Sequence, residues 1–371
     1  MKTYHTGMSE ASILQTEWRQ MNRVMMIDPS QTENDQTSSR RWKLLISILI
    51  SLLALWFALR IIDAKTVMRA LVSIDIGWLL LGIITQIVAL MTRAIRWGAL
   101  LGPHFEPGLA FHTMNIGYLV NTLLPFRLGE LVRPLLLSVR SDRKFYHAAA
   151  TVLVERLLDI LIVTLVMLLT FTGMEVPVGI RKTAGIASLM VLILSLLLFL
   201  AIRHRAWLLD RGGSTLIPIS EKAYRWFENT LNQIAIGFDA TSTPRQIGKI
   251  LSWSLLSWGL SIALNYCVMR AFTSNVRLIE AAFLIVPLTF SMTVPSSPGY
   301  LGVFELVGQQ ALVVPFGARY TPSLAFTITL FIHTIFLAVT SIFGAVGLIS
   351  MKLSLRDLQS LISEKPHMDR G

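Results

Sequence analysis

The chain has 371 residues, of which 53% are hydrophobic and only 15% charged, with a formal net charge of +11. Soluble domains carry about 25% charged residues, so this composition excludes an ordinary soluble enzyme and implies a bundle of membrane helices. The basic excess comes without zinc-finger spacing and without a basic stripe interleaved with aromatics, so no nucleic-acid partner is expected.

In chain order, residues 1–43 form a polar tail, expected to be cytoplasmic and disordered over Asp28–Arg40. The first apolar run begins only at Leu44, so no cleavable signal peptide is expected. Apolar runs follow at Leu44–Ile62, Ala148–Phe171, Thr183–Ile202, Ile250–Phe272 and Ser323–Leu348, and at Gly77–Leu101, which carries Arg93 and Arg96. Each is long enough for a bilayer core of about 30 Å. Two more apolar regions, 109–137 and 279–316, are broken near the middle by proline and glycine.

Basic loops orient these runs. Arg40, Arg41 and Lys43 place the N-terminus in the cytoplasm, as do Arg140, Arg143 and Lys144, the 203–249 loop, and Lys352 and Arg356 at the C-terminal tail 351–371. Counting crossings between these marks makes region 109–137 enter and leave on the cytoplasmic face, and region 279–316 on the opposite face, either as a re-entrant hairpin or as a pair of full crossings, between which length arbitrates. The segments before each break are about 16 residues, short for a full span. The expected fold is therefore all-α and polytopic, with about six transmembrane helices and two opposed re-entrant helical hairpins. The halves, about 77–171 and 250–348 within a domain covering 44–350, form an inverted repeat. Broken helices at matching places in two halves point to a midplane transport site.

The first break lies in NTLLPFRLGELVR, residues 121–133. Pro125 ends one half-helix, Gly129 permits the turn, and Glu130 and Arg133 share a face of the second half-helix at i, i+3. Asn121 is placed to satisfy freed carbonyls. The N-terminus beside Arg127 offers N–H groups to a phosphate. Further intramembrane charges are Arg93 and Arg96, then Glu155, Arg156 and Asp159, then Glu305 after the second break. An ionised group costs roughly 2.5–3.5 kcal/mol at a helix centre, so lipid-facing positions are disfavoured. Five arginines (93, 96, 127, 133, 156) against four acids (130, 155, 159, 305) favour a site for an anionic group. The competing reading is a structural ion-pair knot at 155–159, with Arg93, Arg96 and Arg156 snorkelling to the interface. His333 reads as a helix-packing hydrogen-bonder, and Trp253 and Trp258 as interfacial or packing residues.

No GxSxG, HExxH or Walker A pattern is present, and the seven histidines lack metal-ligand spacing, so no cofactor or metal is expected.

NTLLPFRLGELVR (121–133), VERLLD (154–159) and PSSPGYLGVFE (295–305), in that order, resemble the motifs of the lysylphosphatidylglycerol synthase transmembrane, or flippase-like, family. The resemblance covers about residues 40–350. It implies that Asn121, Pro125, Arg127, Gly129, Glu130 and Arg133 form a first site motif, Glu155, Arg156 and Asp159 a second, and Pro298, Gly299, Gly302 and Glu305 a third. Tyr300 stands where family tips often carry a second glycine, and the soluble aminoacyl-transfer domain of the synthases is not expected in this chain. The implied function is a lipid translocase in the cell (inner) membrane, with a membrane phospholipid or polyprenyl-linked lipid as ligand. The alternatives are a membrane-embedded transferase acting on lipid, or a non-catalytic partner of a separate lipid-modifying enzyme. A homo-oligomer is compatible with all three.

Overall fold

The computed structural model describes residues 33–60, 62–102, 105–124, 127–141, 145–174, 178–216, 243–294 and 296–358, with scattered positions between 220 and 235. Pro125 and residues 28–32 lie outside the described residues. The described chain is helical: α1 (Glu33–Leu59), α2 (Ala64–Val72), α3 (Ile76–Leu101), α4 (Pro107–Leu123), α5 (Gly129–Arg140), α6 (Phe145–Thr172), α7 (Val178–Arg203) and α8 (Arg205–Leu216). After the loop come α9 (Pro244–Phe272), α10 (Leu278–Ser291), a 3₁₀ turn (Pro298–Tyr300), α11 (Val303–Phe316) and α12 (Pro322–Ser350). Residues 33–40, expected to be disordered, form the first turns of α1. Contacts divide the chain into Met1–Ile46 and Ser47–Gly371, and all packing described below belongs to the second unit.

Among the described residues, α3, α9 and α12 are long and apolar enough to cross a membrane unaided. Helix α6 is as long, but Glu155, Arg156 and Asp159 interrupt its apolar run. Large side chains are exposed in rows, such as Leu189, Ile193, Leu194, Leu196 and Leu197 on α7. Soluble monomers rarely expose such continuous apolar surface. Here the solvent is lipid.

Helices α3 and α9 form the central pair, with Gly82 admitting Cys267 and Val268 at close range. Hairpin α4–α5 packs on α12, and hairpin α10–α11 packs partly on α6, so each broken pair lies against the closing helix of the other half. Contacts at helix ends sort the termini to two faces. On one, the Arg140 guanidinium donates to the Met351 carbonyl at 2.5 Å, and Gly102 and Pro107 lie beside Gln246 and Lys249. On the other, Asp75 N–H donates to Ala271 O at 2.8 Å, Asp63 N–H to Ser323 Oγ at 2.8 Å, and Glu280 meets Arg319 and the Tyr320 hydroxyl. Hairpin α4–α5 thus starts and ends on one face, and α10–α11 on the other. Their tips meet between, where Gly299 approaches the Thr122 carbonyl and Tyr300 reaches Arg127.

Candidate functional site

At the first tip, Leu124 is extended (φ −117°, ψ 143°), the conformation a following proline enforces. The left-handed turn falls on Arg127 (φ 53°), and the glycine at 129 has another purpose. A Cβ on Gly129 would stand 1.8 Å from the Gly117 carbonyl oxygen, and one on Gly117 would stand 2.6 Å from Arg133 Cγ. The two glycines let α4 and α5 close on each other. Asn121 Oδ1 accepts from Gly129 N–H at 2.7 Å, so it satisfies a freed amide instead of a carbonyl. The N–H groups of Glu130 and Leu131 donate to Arg127 O and Leu128 O, at 3.1 and 3.0 Å. The expected phosphate cradle at this helix N-terminus is therefore occupied by the protein's own acceptors.

The second tip turns through Gly299 (φ 69°), Tyr300 (φ 60°) and Gly302 (φ 86°). Tyr300 thus occupies a conformation that favours glycine, which explains in physical terms why a glycine suits that place. Gly302 must also lie against α1, since a Cβ there would meet Ser51 O at 2.3 Å. Glu305 Oε2 accepts from Gly302 N–H at 2.7 Å, and its Oε1 pairs with His333 Nδ1 at 2.5 Å, while the imidazole stacks on Phe304 at 4.2 Å between centroids. Glu305 is therefore held in a local lock away from the arginines, and His333 is the packing residue the sequence indicates.

The other charged residues converge. Buried Arg96 on α3 donates to Asp159 Oδ1 (2.6 Å) and Glu155 Oε1 (2.8 Å) on α6. Arg133 donates to Glu155 Oε2 at 2.8 Å and lies over the Trp97 ring, 4.4 Å from its centroid. Arg156 reaches Glu155 at 2.8 Å, Asp159 at 3.3 Å and Glu130 at 3.9 Å. Trp258 Nε1 donates to Asp159 Oδ1 at 2.9 Å. Although Glu130 and Arg133 share a helix face, they do not pair with each other. Two stronger partners, a fully buried carboxylate and an indole face, draw Arg133 inward, and Glu130 pairs with Arg127 at 3.6 Å instead. Nor does Arg96 snorkel to the interface, because it is buried among helices.

Beside this knot is a cavity of about 150 Å³ at the meeting point of the tips. The first half lines it with Gln86, Arg93, Arg96, Tyr118, Asn121, Thr122, Arg127, Glu130, Arg133, Arg156 and Asp159. The second half supplies Trp258, Ser261 and Asn265, the Tyr300 ring, and an apolar wall including Leu264, Ile285, Leu288, Phe304 and Phe336. In and directly behind it, five guanidiniums meet three carboxylates (130, 155 and 159), an excess of two positive charges among the described residues. The excess is local to two side chains. Arg93 donates to the Ser261 hydroxyl at 2.8 Å, with no carboxylate within ion-pair distance among the described residues, and Arg127, besides touching Tyr300 at the other tip, has as its ion-pair contact among those residues only the longer one to Glu130. Both Arg127 and Glu130 keep about a third of their side chains open, at 32% and 28%.

A family model described as the lysylphosphatidylglycerol synthase TM region matches residues 44–344. The chain belongs to this family. The match takes in both hairpins, the ion-pair knot and every cavity-lining residue. The chain is similar to a UPF0104 membrane protein of Pyrococcus horikoshii, 23% identical over 82% of this chain and 94% of the relative. It is also similar to two UPF0104 membrane proteins of Methanothermobacter thermautotrophicus, each 24% identical, over 70% and 73% of this chain and 82% and 81% of the relatives. No solved structure matches the chain.

Of the sequence-predicted site residues, Arg93, Arg96, Asn121, Arg127, Glu130, Arg133, Arg156 and Asp159 line the cavity, with Glu155 directly behind. Gly129, Pro298, Gly299, Gly302 and Glu305 shape the tips without lining it. Sequence reasoning missed Gln86, Tyr118, Ser261 and Asn265 as cavity residues, and Trp258 as a partner of Asp159. Gln86 and Asn265 carry a signal that was present: an uncharged amide in the middle of an apolar span.

Proposed function

We propose that this protein is a flippase-like lipid translocase of the cell (inner) membrane that binds the phosphate of an anionic phospholipid or lipid-linked phosphate where its two hairpin tips meet. The reading includes six spans, two opposed re-entrant hairpins and cytoplasmic termini. The observation that carries it is the pair of guanidiniums, Arg93 and Arg127, that retain cationic capacity beside an apolar wall. A phosphate takes up that capacity through charge-assisted hydrogen bonds, while acyl or prenyl chain lies along Leu264, Leu288 and Phe336. Irregular backbone at membrane depth is tolerated where it lines such a cavity. The meeting of tips from opposite faces supports alternating access of one half against the other.

Lipidomics on purified wild type, Arg93→Ala and Arg127→Ala tests this. A phosphate-bearing lipid retained by wild type and reduced in both variants is the expected result. Equal recovery in all three, with normal folding, ends the reading. Cysteines at Leu124 and Ser297 in a Cys267→Ser background should react with small water-soluble thiol reagents from opposite sides of the membrane. Reaction of both from one side excludes the opposed hairpins.

A further inference from the structure

Resting on that reading, we infer that the ligand's headgroup carries a neutral, hydroxyl-bearing group beyond its phosphate, received by Gln86 and Asn265. Gln86 is 1% exposed, lines the cavity, and its Nε2 donates to no group among the described residues. A buried amide donor without a partner is destabilising, so its placement calls for an acceptor that arrives from outside the fold. Asn265 faces the same space from α9, is equally buried, and spends its Nδ2 on the Ala281 carbonyl at 3.3 Å.

The spacing separates this end from the phosphate end. Gln86 and Arg93 lie seven residues apart on α3, two turns along one face, which places their backbones about 10 Å apart. A phosphate at Arg93 and Arg127 leaves room toward Gln86 for a further headgroup unit. The chemistry of that end is amide, hydroxyl and hydrocarbon. The two carboxylates that line the cavity, Glu130 and Asp159, are both held by arginines, and Asp159 also by Trp258. An amine headgroup would have to break an ion pair to find a partner. A polyol or sugar hydroxyl accepts from Gln86 directly.

The test is native mass spectrometry of the full chain with three lipids of matched acyl chains. Phosphatidylethanol carries the phosphodiester and no hydroxyl, phosphatidylinositol adds a ring of hydroxyls, and phosphatidylethanolamine adds an amine. Wild type should bind phosphatidylinositol roughly two- to tenfold tighter than phosphatidylethanol, the range of one neutral hydrogen bond. Phosphatidylethanolamine should show no such gain. Gln86→Leu should remove the gain, leave phosphatidylethanol binding unchanged, and not lower the melting temperature, because it deletes an unpaired donor. Gln86→Met gives the same comparison should the leucine variant fold poorly. Arg127→Ala should weaken all three lipids alike. A phosphatidylinositol gain that survives Gln86→Leu and Gln86→Met, as if the amide served only an ordered water, overturns the inference, as does a preference for the amine. Binding of phosphatidylethanol without any phosphatidylinositol gain overturns this inference alone. Failure of every lipid to bind overturns the phosphate reading with it.

Discussion

Arg127 and Tyr300 touch across the two hairpin tips, and both hold a left-handed backbone, at φ 53° and 60°. For a residue with a Cβ this conformation costs about 1–2 kcal/mol. Each residue therefore holds backbone strain at the point where one half meets the other, which is where strained backbone concentrates in working sites. Because both tips contribute one such residue, the junction has a symmetric construction that neither hairpin displays alone.

The strain makes a direct comparison possible. Tyr300→Gly and Tyr300→Ala both delete the ring, but only glycine adopts φ near 60° without penalty. The glycine variant should be the more stable of the two by about 1 kcal/mol, and Arg127→Gly should exceed Arg127→Ala in the same way. Thermal unfolding in detergent measures both differences. Alanine variants as stable as the glycine ones would mean that the tips are not left-handed.

Glycines inside the helices divide cleanly. Gly129→Ala forces a methyl against the Gly117 carbonyl and Gly117→Ala forces one into Arg133, so each should destabilise by 1–3 kcal/mol or more as α4 and α5 part. Gly248→Ala and Gly259→Ala on α9 meet nothing within 4 Å. These should be neutral or stabilising by up to about 1 kcal/mol, because alanine is the better helix former. Melting temperatures of the four purified variants check the ordering.

Much of this architecture is legible in the sequence. Helix positions, both breaks and the convergence of Arg96, Glu155 and Asp159 follow from hydropathy, proline and the cost of charge in lipid. The partners did not. Glu130 and Arg133 satisfy the i, i+3 rule, yet Arg133 turns to Glu155 and Trp97, because long-range burial outweighs a local pairing worth a few tenths of a kcal/mol. Gly129 was legible as a special position but not for its reason, a close helix approach, since the sequence does not reveal which helix stands opposite. Gln86 and Asn265 escaped because a neutral amide costs less in lipid than a charge and so attracts less notice.

Glu305 looked like a substrate residue from its motif, and its surroundings make it a structural lock. It holds the start of α11 through Gly302 N–H and fastens α11 to α12 through His333. Glu305→Gln should cost about 1–3 kcal/mol of stability, the expected result of leaving a buried hydrogen-bonding group imperfectly paired. In the protein that does fold, lipid recovered per mole should match wild type. A folded Glu305→Gln protein of normal stability that loses lipid would return Glu305 to the binding site.

Arg96 provides the sharpest distinction between knot and site. Its guanidinium bridges two carboxylates of α6 from α3 and, at the cavity edge, is only 2% exposed. Removing it leaves Glu155 with Arg133 and Arg156 but strips Asp159 of its shortest ion-pair contact. Arg96→Met should therefore destabilise by about 3–5 kcal/mol, the usual cost of leaving a buried charge uncompensated. Arg96→Lys should recover only part of this, since an ammonium does not reproduce the fork that spans both carboxylates. Adding Asp159→Asn to Arg96→Met should restore stability relative to Arg96→Met alone, because it removes the stranded charge. That sign reversal is the signature of a pair and is read from a double-mutant cycle on melting in detergent. Arg93→Met, whose partner is a hydroxyl, should show no such rescue with Asp159→Asn and only a small loss of stability. If Arg93→Met and Arg96→Met instead fall by the same amount, the division between a structural arginine and a ligand-facing one is wrong.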